Sequence, residues 1–381
     1  MPSQLMERTR ADGTKTFQVR IQVGKKPDGK PNYIIQTFEK RSEAVKFKTK
    51  ILRERDQGMA VVPERITMNE YLDRWLEAAK KNSVKANTYE SYEGTLDLYV
   101  RPFIGTRRLD QLTPLEIQML LTKLSEKGLS PRTARYAYGL IRDALGQAVR
   151  WGMLSRNVAT SVEPPRQQRT EMQVLNEDQV QVFLEAIEGA KHEVLFRFLL
   201  YTGLRPSEAF GLKWTDVDLD RGVVEVQRSL TRTRKEWSLG DTKTAAGRRS
   251  IPITEWMIEL LTEHRRRQSE HRMEIADVWQ NHGFVFTDEI GGPLRRENIL
   301  NRHLRPALRK AGLPETLRLY DLRHTCATLM LSQNLNPKVA AERLGHSTVK
   351  ITLDTYSHVT PTMQQEASEK LDLILGRGKS E

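Results

Sequence analysis

Several things are scarce in this chain. Its 381 residues contain one cysteine, Cys326. That excludes an internal disulfide and argues against a thiolate metal cluster. No apolar run approaches the ~18 residues needed to cross a bilayer. The opening MPSQLMERTRADG has no apolar stretch after its charges, so no secretory signal is expected and the expected compartment is the cytoplasm. There is no internal repeat and no low-complexity tract. No carboxylate cluster with metal spacing stands out either, which speaks against a two-metal nuclease.

Charge balance is missing too, and unevenly. The net charge is +12. Residues 1–66 carry 15 Lys and Arg against 8 Asp and Glu, and residues 67–170 carry 16 against 11. Residues 171–381 carry 30 of each. The excess therefore lies in the first 170 residues, which suits a polyanion gripped there. Nucleic acid is favoured over a membrane surface. The plainer alternative is a soluble protein that is basic without a specific partner.

Apolar periodicity divides the chain into three parts. Residues 15–23 (KTFQVRIQV) place Phe17, Val19, Ile21 and Val23 on one face of a strand. GKKPDGKP supplies a turn, and residues 32–38 (NYIIQTF) form the next strand. Ser42 then precedes a helix with Ala44, Phe47 and Ile51 on one side, ending at Gly58. This gives a small domain over 1–58, followed by a linker over 59–66. Its basic side chains suit a DNA groove, which admits a strand ribbon as well as a helix; the bland alternative is a solvated basic module. Residues 67–160 read as an all-helical bundle, with helices over 87–100, 113–128 and 130–152 after a first one beginning at Thr67. Arg132, Arg135 and Tyr136 fall near a helix N-terminus, where amides and arginines can meet phosphates. Tyr136 and Trp151, at helical spacing, would by themselves be core. Residues 161–173 (SVEPPRQQRTEMQ) form a second linker. The third part, 174–381, is mixed but mainly α. Strands are expected at 223–227 and 249–253. Helices are expected at 255–267, 295–311, 324–333, 337–344 and 361–375, after two that span Asn176 to Gly203. The fold class is thus multidomain and mainly α, with a small N-terminal sheet plus helix, a helical bundle, and a mixed domain holding a small antiparallel sheet.

Chemistry concentrates in the third part. Arg205 stands in YTGLRPSEAFGL, between Gly203, which ends one helix, and Pro206, which opens the next. Its guanidinium can fork onto a phosphate, or simply pair with Glu208. Lys243, in the polar loop GDTKTAAGRRSIPI, can reach a minor groove or protonate a departing oxygen, unless it is merely solvated. In LRLYDLRHTCATLM, Asp321 is read as the cap of a helix whose first turn carries Arg323 and His324. Cations there oppose the helix dipole unless an anion lies between them. Tyr320 sits one turn before Arg323 and can donate to the same phosphate, whereas Cys326 packs rather than reacts. Gly345 ends a helix and sets His346 at a turn, with Ser347 available to cap the next helix. Tyr356 follows on or beside that helix, and alone reads as an ordinary core residue.

Taken together, TGLRPSEA, TKTAAGRRSIPI, DLRHTCAT, LGHS and DTYSH resemble the motifs of tyrosine recombinases of the phage-integrase family. The similarity is strongest to integrases of conjugative transposons and of temperate phages of Gram-positive bacteria. It spans residues 67–375, and residues 1–58 resemble, less specifically, a three-stranded arm-type DNA-binding domain. The resemblance implies a site-specific recombinase that cuts and rejoins DNA through a 3′-phosphotyrosyl link, with no cofactor, ATP or metal. It assigns Tyr356 as nucleophile, Arg205 and Arg323 as stabilisers of the phosphate's growing charge, Lys243 as acid for the 5′-hydroxyl and His346 as donor to the phosphate. It also implies double-stranded attachment sites and a homo-tetramer on DNA in a bacterial host's nucleoid. An excisionase and a DNA-bending protein are the accessory partners it admits. Tail helix 361–375 would dock on a neighbouring protomer or pack in cis. The expected DNA contacts are Arg20, Lys25 and Lys26, then Lys85, Arg132 and Arg135, then Arg248.

One position departs from the family. A histidine usually precedes the second arginine by three residues, and here Tyr320 stands in that place. A phenol can hydrogen-bond a phosphate oxygen but is a poor proton acceptor at neutral pH, and His324 is a neighbour able to assist. The alternative functions are a type IB topoisomerase-like relaxing enzyme and a catalytically impaired DNA-binding protein.

Overall fold

The computed structural model describes residues 4–9, 13–25, 31–56, 65–166, 172–234, 236–242, 245–356, 368, 371, 372 and 375. Lys26 and Lys243 lie outside this set, as does most of the expected tail helix, and the side chains of Lys25 and Tyr356 are likewise outside the description. The chain divides into two compact units, Met1–Arg169 and Thr170–Glu381.

The first unit holds two separate hydrophobic cores. Strands β1 (Gln4–Thr9), β2 (Lys15–Lys25) and β3 (Pro31–Phe38) form an antiparallel sheet in that order. Strand alternation turns Val19 and Ile21 inward, where they are fully buried with Ala44 and Ile51 of helix α1 (Arg41–Asp56). Intervening residues occupy the other face, where Arg20 pairs in register with Ile35 and Gln22 with Tyr33. The Arg20 guanidinium lies 4.0 Å from the centre of the Tyr33 ring.

The second core belongs to a bundle of α2 (Met68–Trp75), α3 (Ala86–Tyr99), α4 (Arg101–Ile104), α5 (Pro114–Glu126) and α6 (Pro131–Arg150). A π-helical turn, Leu76–Lys80, prolongs α2. Thr67 and Thr113 each start a helix with a capping box closed by Glu70 and Glu116. Met68, Tyr71, Leu72 and Trp75 are all fully buried, and the Tyr71 hydroxyl donates to the Ala144 carbonyl on α6. Tyr136 and Trp151 are 42% and 40% exposed, so the expectation that helical spacing would place them in the core fails.

The second unit is built on α7 (Glu177–Ala186), α8 (Glu193–Thr202), α9 (Pro206–Phe210) and α10 (Glu255–Glu274). Then come α11 (Arg296–Asn298), α12 (Arg305–Lys310), α13 (Leu319–Ser332), α14 (Pro337–Leu344) and α15 (Val349–Tyr356). A three-stranded antiparallel sheet of β4 (Val217–Asp218), β5 (Val223–Val226) and β8 (Arg249–Pro252) lies beside a hairpin of β6 (Arg228–Arg232) and β7 (Trp237–Asp241). Neither hairpin strand was expected, because SLTRTRKEWSLG offers no clean apolar alternation. The helix expected over 295–311 contains a π-helical stretch, Ile299–Leu304, between α11 and α12. Helix α10 runs seven residues past its expected end. Its last turns have no apolar stripe and are held instead by exposed contacts such as Arg266–Glu270 and His271–Glu274.

Candidate active site

Arg205 occupies the N-cap position of α9, with backbone angles φ −65° and ψ 142°. The turn that places it depends on Gly203, which closes α8 at φ +64°. A Cβ there would sit 2.6 Å from Leu344 Cδ2 and 3.1 Å from Cys326 Sγ, so both conformation and space call for glycine. Arg205 is then held twice: Nη1 donates to Glu208 Oε1 at 2.6 Å and Nη2 to the Gly345 carbonyl at 3.2 Å. Burial opposes its charge, but Glu208, with a smaller contribution from the neighbouring Tyr320, outweighs that and raises its pKa.

Glu208 is 2% exposed and has a second arginine partner. Arg249 Nη2 donates to Glu208 Oε2 at 3.0 Å, Nε to the Arg343 carbonyl at 2.6 Å and Nη1 to the Gly247 carbonyl at 2.9 Å. Desolvation disfavours the Glu208 carboxylate, yet Arg249 and Arg205 together hold its pKa below the usual range. One buried carboxylate thus fixes two guanidiniums, one on α9 and one on β8. Sequence reading passed over Arg249 in favour of Arg248. Strand alternation was the available signal, since Arg249, Ile251 and Ile253 point inward while Arg248 and Ser250 are exposed. Arg248 makes an exposed bond to Asp241 at 2.8 Å.

Arg323 is carried on the second turn of α13. That helix begins at Leu319, earlier than expected. Asp321 acts from its third residue by accepting from the Arg318 backbone N–H at 2.7 Å, so it is not the N-cap. The Arg323 side chain is 1% exposed, and its Nη1 donates to the Gly203 carbonyl at 2.8 Å. Its Nε and Nη2 are buried with no hydrogen-bond partner among the described residues. Burial, then the charge of Arg205, push its pKa down. A guanidinium stays charged regardless, so a cation with two open donors stands beside another cation.

His346 follows Gly345, which ends α14 at φ +68°. Its Nδ1 lies 2.7 Å from the Thr352 hydroxyl on α15. Burial, followed by Arg323, Arg205, Arg249 and His324, lowers its pKa to about 4. At neutral pH the ring is uncharged. Tyr356 is the last residue of α15, a helix that packs against α13 and α14. The structure therefore brings Arg205, Arg323, His346 and Tyr320 close together; it also places His324, whose ring meets that of Tyr320 at 5.1 Å. Cys326 is buried, its thiol is pushed up to about 11 by that burial, and it donates weakly to the Tyr201 carbonyl.

Tyr320 lies beside Arg323 and His324 and adds to the charge balance of Arg205, which gives the departure at this position a defined part. Replacing Tyr320 with phenylalanine is expected to slow single-turnover strand cleavage about tenfold, the worth of one hydrogen bond to a charged group, with DNA affinity unchanged. An unaltered rate would reduce the phenol to a packing residue.

The expected DNA contacts are spread over the surface. Arg20 is exposed on the outer sheet face, Lys85 is the N-cap residue of α3, and Arg132 is exposed on the first turn of α6. Arg135 is also exposed but already donates to the Pro165 carbonyl at 2.9 Å. Among the described residues no helix is long and apolar enough to cross a membrane, and no group of three His, Cys, Asp or Glu side chains is placed to hold a metal.

Comparison with known proteins shows the family and the fold. Residues 173–363 match the phage integrase family, and residues 67–125 match the phage integrase N-terminal SAM-like domain. A XerC-like tyrosine recombinase of Caldanaerobacter subterraneus subsp. tengcongensis is 28% identical across 95% of this chain and 97% of its own. The ICEBs1 integrase of Bacillus subtilis is 24% identical, covering 88% of this chain and 90% of its own. Among solved structures, the Tn1549 transposon integrase in complex with circular intermediate DNA superposes with a TM-score of 0.65 at 24% identity, covering 80% of this chain and all of that one. A lambda integrase tetramer bound to a Holliday junction gives 0.58 at 17% identity, over 92% of this chain and 95% of the other.

Proposed function

The chain belongs to the phage integrase family of tyrosine recombinases, and from that premise we propose that it cuts and rejoins DNA at attachment sites through a covalent 3′-phosphotyrosyl intermediate. The observation that carries this reading is Arg323, buried with two unused donors next to Arg205. Two guanidiniums so placed suit the nonbridging oxygens of a phosphodiester, whose charge grows as it becomes pentacoordinate. The oxygen of Tyr356 gives up its proton to a neighbouring base, for which His324 is the candidate, and attacks phosphorus, forming the P–O bond to tyrosine as the bond to the 5′-oxygen breaks. Lys243 supplies the proton that the departing 5′-oxygen takes up, and His346 donates to a nonbridging oxygen. The phosphotyrosine keeps the bond energy, so a 5′-hydroxyl from a partner duplex can reverse the attack without ATP, and the two guanidiniums supply the positive charge a metal would otherwise bring.

The remaining parts follow from how the relatives are built. Residues 1–58 form an arm-type DNA-binding domain, whose outer sheet face offers Arg20, Gln22 and Tyr33 to a groove. Residues 67–160 form a core-binding domain, contacting phosphates through Lys85, Arg132 and Arg135, and residues 174–381 form the catalytic domain, with linkers at 59–66 and 161–173. The working assembly is a homo-tetramer on two duplexes in the cytoplasm of a bacterial host, with an excisionase and a DNA-bending protein as accessory factors.

The test is covalent trapping on a nicked duplex that carries the attachment core, where the short strand diffuses away after cleavage. A denaturation-resistant adduct is expected with the natural chain and none with Tyr356→Phe. No adduct from the natural chain would leave a DNA-binding protein without strand chemistry. An adduct with relaxation of supercoiled plasmid but no exchange between two sites would identify a topoisomerase.

A further inference from the structure

The recombination chemistry proposed above gives His346 a definite task, to donate a proton to a phosphate oxygen, but a neutral imidazole has two possible tautomers and only one can do it. The ring's surroundings decide which. Thr352 is fully buried, and its hydroxyl lies 2.7 Å from His346 Nδ1. Among the described residues that contact is the one hydrogen bond of the Thr352 side chain, and equally the one hydrogen bond of the imidazole. A buried hydroxyl proton has to be donated somewhere. Among the described residues the acceptor it meets is Nδ1, which is then the ring's acceptor nitrogen. The single ring proton is left on Nε2.

The reverse arrangement fails on two counts. With the proton on Nδ1, the threonine would become the acceptor and its own buried proton would lose its partner. The ring would also turn a lone pair instead of an N–H toward an anionic oxygen. The charged neighbours do not rescue that state by doubly protonating the ring: Arg323, Arg205 and Arg249 all disfavour a further positive charge.

Thr352 also lies on the element that bears the nucleophile. It precedes Tyr356 by four residues, one turn of α15. The His346 end of the contact is fastened independently of α15. Arg205 donates to the Gly345 carbonyl, Arg249 to the Arg343 carbonyl, and Arg343 to the Tyr201 carbonyl at 3.1 Å. The hydroxyl therefore bridges a fixed turn and the helix that must present the nucleophile.

We propose that Thr352 is a positioning residue that fixes His346 in its Nε2–H tautomer and ties it to α15, so that phosphate donor and nucleophile helix are seated together. When α15 leaves its seat, His346 loses the partner that sets its tautomer, and the pocket loses a phosphate donor at the same time as its nucleophile. The inference rests on the recombinase reading for its consequence but not for its geometry.

The test uses the full chain labelled with 15N-histidine, with the His346 resonances assigned by comparison with His346→Gln. The natural protein should show a protonated Nε2 and a bare Nδ1 at neutral pH. Thr352→Val, which keeps shape and removes the hydroxyl, should show a mixture of tautomers, and Thr352→Ser should restore the single form. On the nicked duplex, Thr352→Val should form adduct about 30-fold more slowly at unchanged DNA affinity, with Thr352→Ser within about threefold of the natural rate. A protonated Nδ1 in the natural protein would overturn the proposal, and that measurement stands even if the valine variant does not fold. A natural adduct rate in Thr352→Val would overturn it as well. Failure of the natural chain to form any adduct would instead sink the recombinase reading and leave the tautomer measurement to decide the role of Thr352.

Discussion

Replacing Arg323 with methionine is expected to lower single-turnover strand cleavage by about 10³-fold, roughly 4 kcal/mol of transition-state stabilisation, while leaving the free protein as stable as before or more so. The two halves of this expectation share one cause. Arg323 is 1% exposed, and two of its nitrogens have no partner among the described residues. Without DNA, those donors are desolvated for nothing and the charge is repelled by Arg205. Methionine fills a similar volume without the charge, and exchanging a poorly compensated buried ion for an apolar side chain of like size is commonly neutral or stabilising. The bond from Arg323 to the Gly203 carbonyl is lost, which offsets part of the gain. Thermal melts beside cleavage rates on the nicked duplex check both halves. A parallel fall in Tm and activity would make Arg323 a structural arginine.

Glu208 predicts the opposite pairing. Exchanging it for glutamine should destabilise the second unit by about 3–5 kcal/mol, because Arg205 and Arg249 would lose the one buried carboxylate they share. For a unit of this size that is a fall of roughly 10 °C in Tm. Activity should fall with it, since Arg205 loses the bond that aims its fork. An added anion should partly repair the defect, so sulfate ought to raise the Tm of Glu208→Gln more steeply than that of the natural chain. The pH dependence has a definite sign. The folded-state pKa of Glu208 is depressed, so its contribution is complete above the unfolded value and is lost only as pH falls through the lower folded value. The natural chain should therefore keep this part of its stability down to about pH 4 and lose it below, whereas Glu208→Gln should lack that acid limb. Equal acid limbs in the two proteins would remove Glu208 from the centre of the site.

These two residues mark where sequence reading worked and where it stopped. Arg205 was legible because its neighbours are local: Gly203 must end a helix, Pro206 must begin one, and the residue between is held in extended backbone. His346 was legible for the same reason, one residue beyond a left-handed glycine. The bond from Arg249 to Glu208 spans 41 residues and the one from Arg205 to Gly345 spans 140, and neither leaves a local signature. The hairpin β6–β7 left no alternating apolar signature, because only its Leu230–Leu239 pair is apolar on both strands. Helix α13 was started too late because an aspartate that closes a capping box from the third position looks, in sequence, like one that caps. Thr352 was invisible until α15 folded it back onto His346.

The central claim is that DNA becomes attached to Tyr356 through a 3′-phosphate, and mapping the trapped adduct tests it most directly. Trypsin should release the segment Ile351–Lys370, which contains Tyr356 as its only tyrosine. After nuclease trimming of the adduct, mass spectrometry should find a nucleotide joined to that tyrosine through its 3′-phosphate. Attachment to any other residue, or through a 5′-phosphate, would contradict the account.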